Sequence, residues 1–110
     1  MNKVNSITEA IPKLIMALFS GDLPMVGVLL DTFPRLLELR DRRGRTLLMM
    51  AAYIGNPTII NYLISFYVIA NPILDPNVED EDGLNAHDWA VLGGSEFSRS
   101  LLIKVMGIEE

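Results

Sequence analysis

The 110-residue chain contains no cysteine. Disulfides, thiolate zinc sites and cysteine nucleophiles are therefore excluded, and a reducing compartment is permitted. Histidine is almost missing as well. His87 is the single copy, so no two-histidine metal site can form and a serine triad would have one candidate base. Its neighbour Asp88 lies about 100° further round a helix and cannot orient the imidazole. Positive charge is scarce: nine Lys and Arg against 14 Asp and Glu leave a net charge of −5. That balance opposes non-specific attraction to nucleic acid or to anionic lipid. Long hydrophobic runs are lacking too. The greasiest stretch, IINYLISFYVIA at 59–70, is twelve residues and carries Asn61 and Ser65. A bilayer-spanning helix needs about 20 residues, so a buried helix fits better and a membrane role is disfavoured. The start, MNKVNSITEA, has no apolar stretch of signal-peptide length. The one N-x-S/T triplet, Asn56-Pro57-Thr58, holds the forbidden proline. These absences point to a cytoplasmic protein.

What the chain does have is a globular composition, 50% apolar and 21% charged, at a length that suits one domain over 1–110. Three blocks align: PKLIMALFSGDLPMVGVLL (12–30), TLLMMAAYIGNPTIINYLI (46–64) and NAHDWAVLGGSEFSRSLLI (85–103). Each has a small residue at one place (Ala17, Ala51, Ala90) and a glycine four residues on (Gly21, Gly55, Gly94). An apolar pair closes each block: Leu29-Leu30, Leu63-Ile64 and Leu102-Ile103. The alanines are 34 and then 39 residues apart, as 51−17 and 90−51. A period of this size suggests stacked helix pairs. Apolar residues at Leu14, Ala17 and Leu18, and at Leu47, Leu48, Ala51 and Ala52, fall on one helical face. Thr46 and Asn85 sit where N-caps belong, while Gly-Asp-Leu-Pro and Gly-Asn-Pro-Thr separate helices. The spacing predicts helices over 12–20, 24–31, 46–54, 57–69, 86–92 and 95–106.

DRRGRTLLMMAAYIG (41–55) carries a family likeness. It resembles the ankyrin-repeat pattern D-x-x-G-x-T-P-L-H-x-A-A-x-x-G: Asp41, Gly44, Thr46, Leu48, Ala51, Ala52 and Gly55 match, with Leu47 for the proline and Met49 for the histidine. DEDGLNAHDWAVLGG (80–94) keeps Asp80, Gly83, Ala90 and Gly94, with Asn85 for the threonine. The first unit lacks the D-x-x-G turn and has Pro12 at the threonine position. The likeness spans residues 12 to about 105. It implies an all-α ankyrin-repeat solenoid of about three helix-turn-helix units, about 8–40, 41–78 and 79–110, with β-hairpin-like finger turns. The family's Thr–His hydrogen bonding is missing, because Ile15, Met49 and Asp88 occupy the histidine position, so stacking should lean on apolar contact. The third unit has Arg99, or Ser98 with a one-residue slip, where an apolar residue is expected; a polar outer helix suits a terminal cap. The linker between the second and third units is five residues longer than its predecessor, and its part in the fold stays open.

In this frame Asp41 to Arg45 form a finger turn in which Gly44 supplies a positive φ. Two readings stay open for the arginines, a solvated tip and contact with an acidic protein surface. A phosphate-binding loop would need G-x-x-x-x-G-K-[S/T], which is absent. The next finger carries Glu79, Asp80, Glu81 and Asp82 and should lie beside them, masking the basic patch. VEDEDG fails as a calcium loop, since Val78 and Trp89 stand at its first and last ligand positions. No cofactor or metal is expected. His87 occupies a core leucine position and reads as structural. Leu92-Gly93-Gly94-Ser95 reads as an inter-helix turn more than as an anion cradle. Trp89, Met49 and Met50 are at core spacing, although Met49 could face a groove. Asn77 stands where the family often has an asparagine that bridges the finger turn, a structural role.

The resemblance implies no enzyme but a protein–protein interaction module, using finger turns and the concave inner-helix face. Carried over position by position, the partner-binding residues are Phe19 (with Ser20), Arg42, Arg43, Arg45, Tyr53, Ile54, Glu81, Asp82, Leu84 and Leu92. The partner is another protein of unknown identity and not a nucleic acid; a homo-oligomer stays open. The alternative is a small dedicated inhibitor or immunity-type protein occluding one basic enzyme or toxin.

Overall fold

The computed structural model describes residues 6–66 and 75–107. Those residues form α1 (Ile7–Ser20), α2 (Leu23–Thr32), a 3-10 helix (Pro34–Glu38), α3 (Leu47–Ile54), α4 (Pro57–Ser65), α5 (Ala86–Gly93) and α6 (Glu96–Met106). Each α-helix is started by a side chain that accepts from a free first-turn amide. Ser6 takes Glu9 N–H at 3.2 Å, Asp22 takes Met25 N–H at 3.1 Å, and Asn56 takes Thr58 and Ile59 N–H at 3.0 and 3.1 Å. Thr46 and Asn85 cap α3 and α5 as expected, accepting from Met49 and Asp88 N–H at 3.2 and 3.0 Å. The inner helices α1, α3 and α5 all end on a left-handed glycine at the same repeat position: Gly21, Gly55 and Gly94.

One boundary and one additional element correct the sequence expectation. α1 begins five residues before Pro12, because Ser6 can cap it and Ala10 extends the buried stripe of Leu14, Ala17 and Leu18 upstream. Pro12 therefore lies inside the helix and not at its start. The 3-10 helix is the additional element; it starts at Pro34 and buries Leu36 and Leu37. Residues 67–69 of the expected fourth helix, and most of the longer linker, lie outside the described residues.

The helices form two layers. Among inner helices α3 touches both α1 and α5, and among outer helices α4 touches both α2 and α6. One continuous apolar core runs from Ala10 to Met106. The second unit is its centre, with Leu48, Met49, Ala52, Ile59, Ile60 and Leu63 almost wholly buried. In the third unit Ser98, not Arg99, fills the apolar slot: it is fully buried, and its Oγ accepts from Ser95 Oγ at 2.9 Å. Arg99 is half-buried and pairs with Glu96.

The threonine–histidine hydrogen bonding is replaced, not simply lost. In α3 the Met49 sulfur accepts from Thr46 N–H at 3.4 Å. In α5 the Asp88 carboxylate accepts from Asn85 N–H at 3.0 Å, closing a reciprocal box. Asp88 is thereby committed to the helix cap. His87 is half-buried, and its Nε2 is fully enclosed without a hydrogen-bond partner among the described residues. An enclosed, unsatisfied polar atom costs about 1–3 kcal/mol. His87→Leu is accordingly expected to be neutral or to stabilise by up to about 1 kcal/mol, read by thermal melting. Loss of partner binding at an unchanged melting temperature would instead give His87 a functional role.

Candidate protein-interaction surface

Two finger turns rise from the starts of α3 and α5, and both are built on an aspartate. Asp41 Oδ1 accepts from the Arg43 and Arg45 amides, each at 2.9 Å, and Oδ2 from Arg45 Nε at 2.7 Å. The Asp41 amide donates to Arg45 O at 3.0 Å, and Gly44 makes the turn at φ +75°. Asp80 repeats the arrangement: Oδ1 accepts from the Asp82 and Leu84 amides, and Oδ2 from the Trp89 indole N–H, all at 2.9 Å. Burial alone would raise both carboxyls. Their hydrogen bonds outweigh it and hold each below its ordinary 3.8. For Asp41 the donors are Arg45 and Arg43, with the Arg45 charge; for Asp80 they are Leu84, Trp89 and Asp82, with the Arg43 charge.

The fingers lie side by side, as the sequence suggested. Glu81 N–H donates to Arg43 O at 2.8 Å, a backbone link between turns. Arg43 Nη2 reaches both Asp82 oxygens at 2.9 and 2.8 Å. Both side chains are more than half exposed, so the pair contributes only ~0–1 kcal/mol. Its effect is on charge: Arg43 and Arg45 are compensated within the chain. The Arg42 side chain is exposed and has no polar partner among the described residues.

Phe19, Arg45, Tyr53 and Ile54 come together as walls of one cleft of about 380 Å³, joined by Met49, Met50 and Trp89. Tyr53 meets Trp89 edge-on, with ring centroids 5.8 Å apart. The Arg45 guanidinium lies 6.0 Å from the Trp89 ring centroid, at the outer limit for a cation–π contact. Phe19 and Tyr53 are 69% and 48% exposed although both are large apolar groups. Arg43, Glu81 and Asp82 gather at the finger tips instead. Leu84 is half-buried at the base of its finger, and Leu92 is exposed on α5 outside the cleft lining.

Trp89 and Met50 are half-buried and pack against the core, as helical spacing predicts, and they line this cleft as well. A signal for Trp89 was present, since an indole N–H needs an acceptor and rarely sits in a purely apolar core. Met49 is almost wholly buried yet contributes to the cleft floor. Leu92-Gly93-Gly94-Ser95 offers no anion cradle: the Gly94 and Ser95 amides already donate to Val91 and Ala90 carbonyls, and Ser95 Oγ caps α6. Asn77 is exposed and its side chain bridges nothing among the described residues; the Leu84 and Asp82 amides are satisfied by Asp80. No cluster of three metal-ligating side chains occurs among the described residues, and none of their helices is long and apolar enough to cross a membrane.

A family model for ankyrin repeats, in three copies, matches residues 14–109. No curated protein matches the chain significantly. The family match covers nearly the same residues that the structure arranges as three stacked helix pairs, each with a glycine closing its inner helix, and the chain belongs to the ankyrin-repeat family.

Proposed function

We propose that this chain recognises a partner protein through the cleft between its inner helices and finger stems. Ankyrin repeats are generally protein–protein interaction modules and typically not enzymes. The observation that carries the finer reading is the exposure of Phe19 and Tyr53 on a cleft also lined by Met49, Met50 and Trp89. Large apolar side chains exposed together around a concavity mark a binding site. Aromatic anchors of this kind dominate interface energetics. Ile54 and Arg45 complete the wall, while Arg42, Arg43, Glu81, Asp82, Leu84 and Leu92 form a polar and aliphatic surround. The fixed Asp41–Arg45 and Asp80–Trp89 contacts hold the cleft in shape before binding, which lowers the ordering cost of association.

The test uses a photo-crosslinking residue at position 19 or 53, with position 58 on the outer helix as control. Protein adducts are expected from 19 and 53 and not from 58. Tyr53→Ser should weaken the captured complex by about 2 kcal/mol, roughly 30-fold in Kd, while the loss of its Trp89 contact costs about 0.5–1.5 kcal/mol of stability. Equal crosslinking from all three positions would overturn the reading.

A further inference from the structure

The finger ladder has an open edge. In the third unit, the residue after the turn aspartate, Glu81, sends its amide back to the preceding finger at Arg43 O. Arg42 holds the same place in the second unit, directly after Asp41. The first unit has no D-x-x-G finger, and the Arg42 amide has no acceptor among the described residues. Beside this edge lies a groove of about 220 Å³ between α1, the 3-10 helix and the finger. Its walls include Ile11, Ile15, Leu39, Leu47 and Met50, with Arg40 at the rim. Arg40 and Arg42 are exposed, and neither has a side-chain partner among the described residues.

We propose that this open edge and the groove beside it dock an extended, acidic segment of a partner protein carrying an apolar anchor. The chain already contains the model for that contact. The acidic turn of the third unit docks on the second finger through one backbone hydrogen bond and one arginine–carboxylate fork, Glu81 N–H to Arg43 O and Arg43 to Asp82. On the opposite edge the free groups are a backbone donor and two guanidiniums. A strand-like segment would give its carbonyl to Arg42 N–H and its carboxylates to Arg40 and Arg42. An apolar side chain would fill the groove, as pockets do in strand-addition complexes. Charge selects the occupant: in a chain of net charge −5, five of nine basic residues fall within positions 35–45, and Arg40 and Arg42 at this edge have no acidic partner among the described residues. The site is separate from the Phe19–Tyr53 cleft, although Arg45 and Met50 line both.

The test is a titration of the isotope-labelled full chain, followed by NMR, with the capped hexapeptide Asp-Glu-Leu-Phe-Glu-Asp. A second peptide replaces every acid with lysine. The acidic peptide is expected to shift the Arg42 amide and the Ile11 and Leu39 methyls saturably, and the lysine peptide is not. Arg40→Ser with Arg42→Ser should weaken binding about tenfold, the worth of two exposed charge pairs, at an unchanged melting temperature. No saturable shift, equal binding of both peptides, or shifts confined to Phe19 and Tyr53 would each overturn the proposal. So would sub-micromolar retention of mixed-sequence DNA or RNA at physiological salt, lost in the double variant, since that makes the edge a polyanion site. The crosslinking at positions 19 and 53 reads the concave cleft alone, so the two readings can fail independently.

Discussion

Replacing Gly93 with alanine is expected to unseat the third helix pair. A Cβ at this position would lie 2.1 Å from the Tyr53 carbonyl oxygen and 2.9 Å from its carbon. Both partners in the clash are backbone, one at the end of α5 and the other near the end of α3, so no rotamer change relieves it. The helices must separate, and α3–α5 is the most extensive helix contact among the described residues. Overpacking in a well-packed interface costs about 1–3 kcal/mol, and this overlap belongs at the upper end. A loss of about 3 kcal/mol lowers the melting temperature of a domain this size by roughly 12–24 °C. Gly27 supplies the opposite sign. It also lies inside a helix, α2, but a Cβ there would meet only the Tyr62 hydroxyl, at an ordinary 3.5 Å. Gly27→Ala should therefore stabilise by about 0.5–1 kcal/mol, through lower unfolded-chain entropy and better helix propensity. Thermal melts of the two variants check the pair. A Gly93→Ala protein that melts with the parent would mean that α5 does not approach α3 so closely.

Asp80→Asn is expected to lower stability at neutral pH by more than Arg43→Ser, and the deficit should vanish in acid. The Asp80 carboxylate satisfies three donors at once: the Asp82 and Leu84 amides and the Trp89 indole. It thereby ties the third finger to α5. An asparagine can still accept through its oxygen, but its NH₂ then faces another donor and leaves it unsatisfied. Arg43→Ser removes only an exposed pair. The folded carboxyl of Asp80 lies below 3.8, so on acidification the unfolded chain takes up its proton first. The stabilisation from Asp80 is thus complete above the ordinary carboxylate range and is lost as pH falls from about 4 through the folded value. Asp41, lowered in the same direction, adds to the same acid transition. The measurement is a melting series from neutral pH downward for wild type and Asp80→Asn. Their curves should converge in acid, where the protonated aspartic acid and the amide are alike in charge. A gap that stays constant with pH would remove the carboxylate from this role.

Much of the fold was legible because its determinants are short-range. The caps at Thr46 and Asn85 bind amides three residues on, and the glycines at 21, 55 and 94 close helices on their own carbonyls. The D-x-x-G turns organise five residues around one carboxylate. Each of these is a local hydrogen-bonding pattern, so each shows as a fixed residue type at a fixed offset. Pro12 misled for the same reason. Proline suits a helix start, but the Ser6 cap and the buried Ala10 carried the helix further upstream. The 3-10 helix was invisible because five residues are too few to show a periodicity.

The candidate site was read less completely. Phe19, Arg45, Tyr53 and Ile54 were placed by repeat position, and they do converge on one cleft. Trp89 and Met50 do pack against the core, but their place on the cleft was hidden, because helical spacing reports which face a residue occupies and not how far a neighbouring helix covers it. Gly93 and Gly94 looked alike as turn residues. Gly94 takes the left-handed cap, whereas Gly93 is required by the Tyr53 backbone, forty residues away in sequence by 93−53.

By itself, then, the sequence determined the helix pairs, their capping, their finger turns and the repeat frame, all enforced within a few residues along the chain. Only the tertiary structure decided three further things. Ser98, and not Arg99, enters the core; Arg43 is neutralised by Asp82 while Arg42 is left open; and Trp89, packed against the core, also lines a cleft with Tyr53. Each depends on the distance between separate helix pairs. That distance is set by the summed packing of many side chains, which no local pattern of residues encodes.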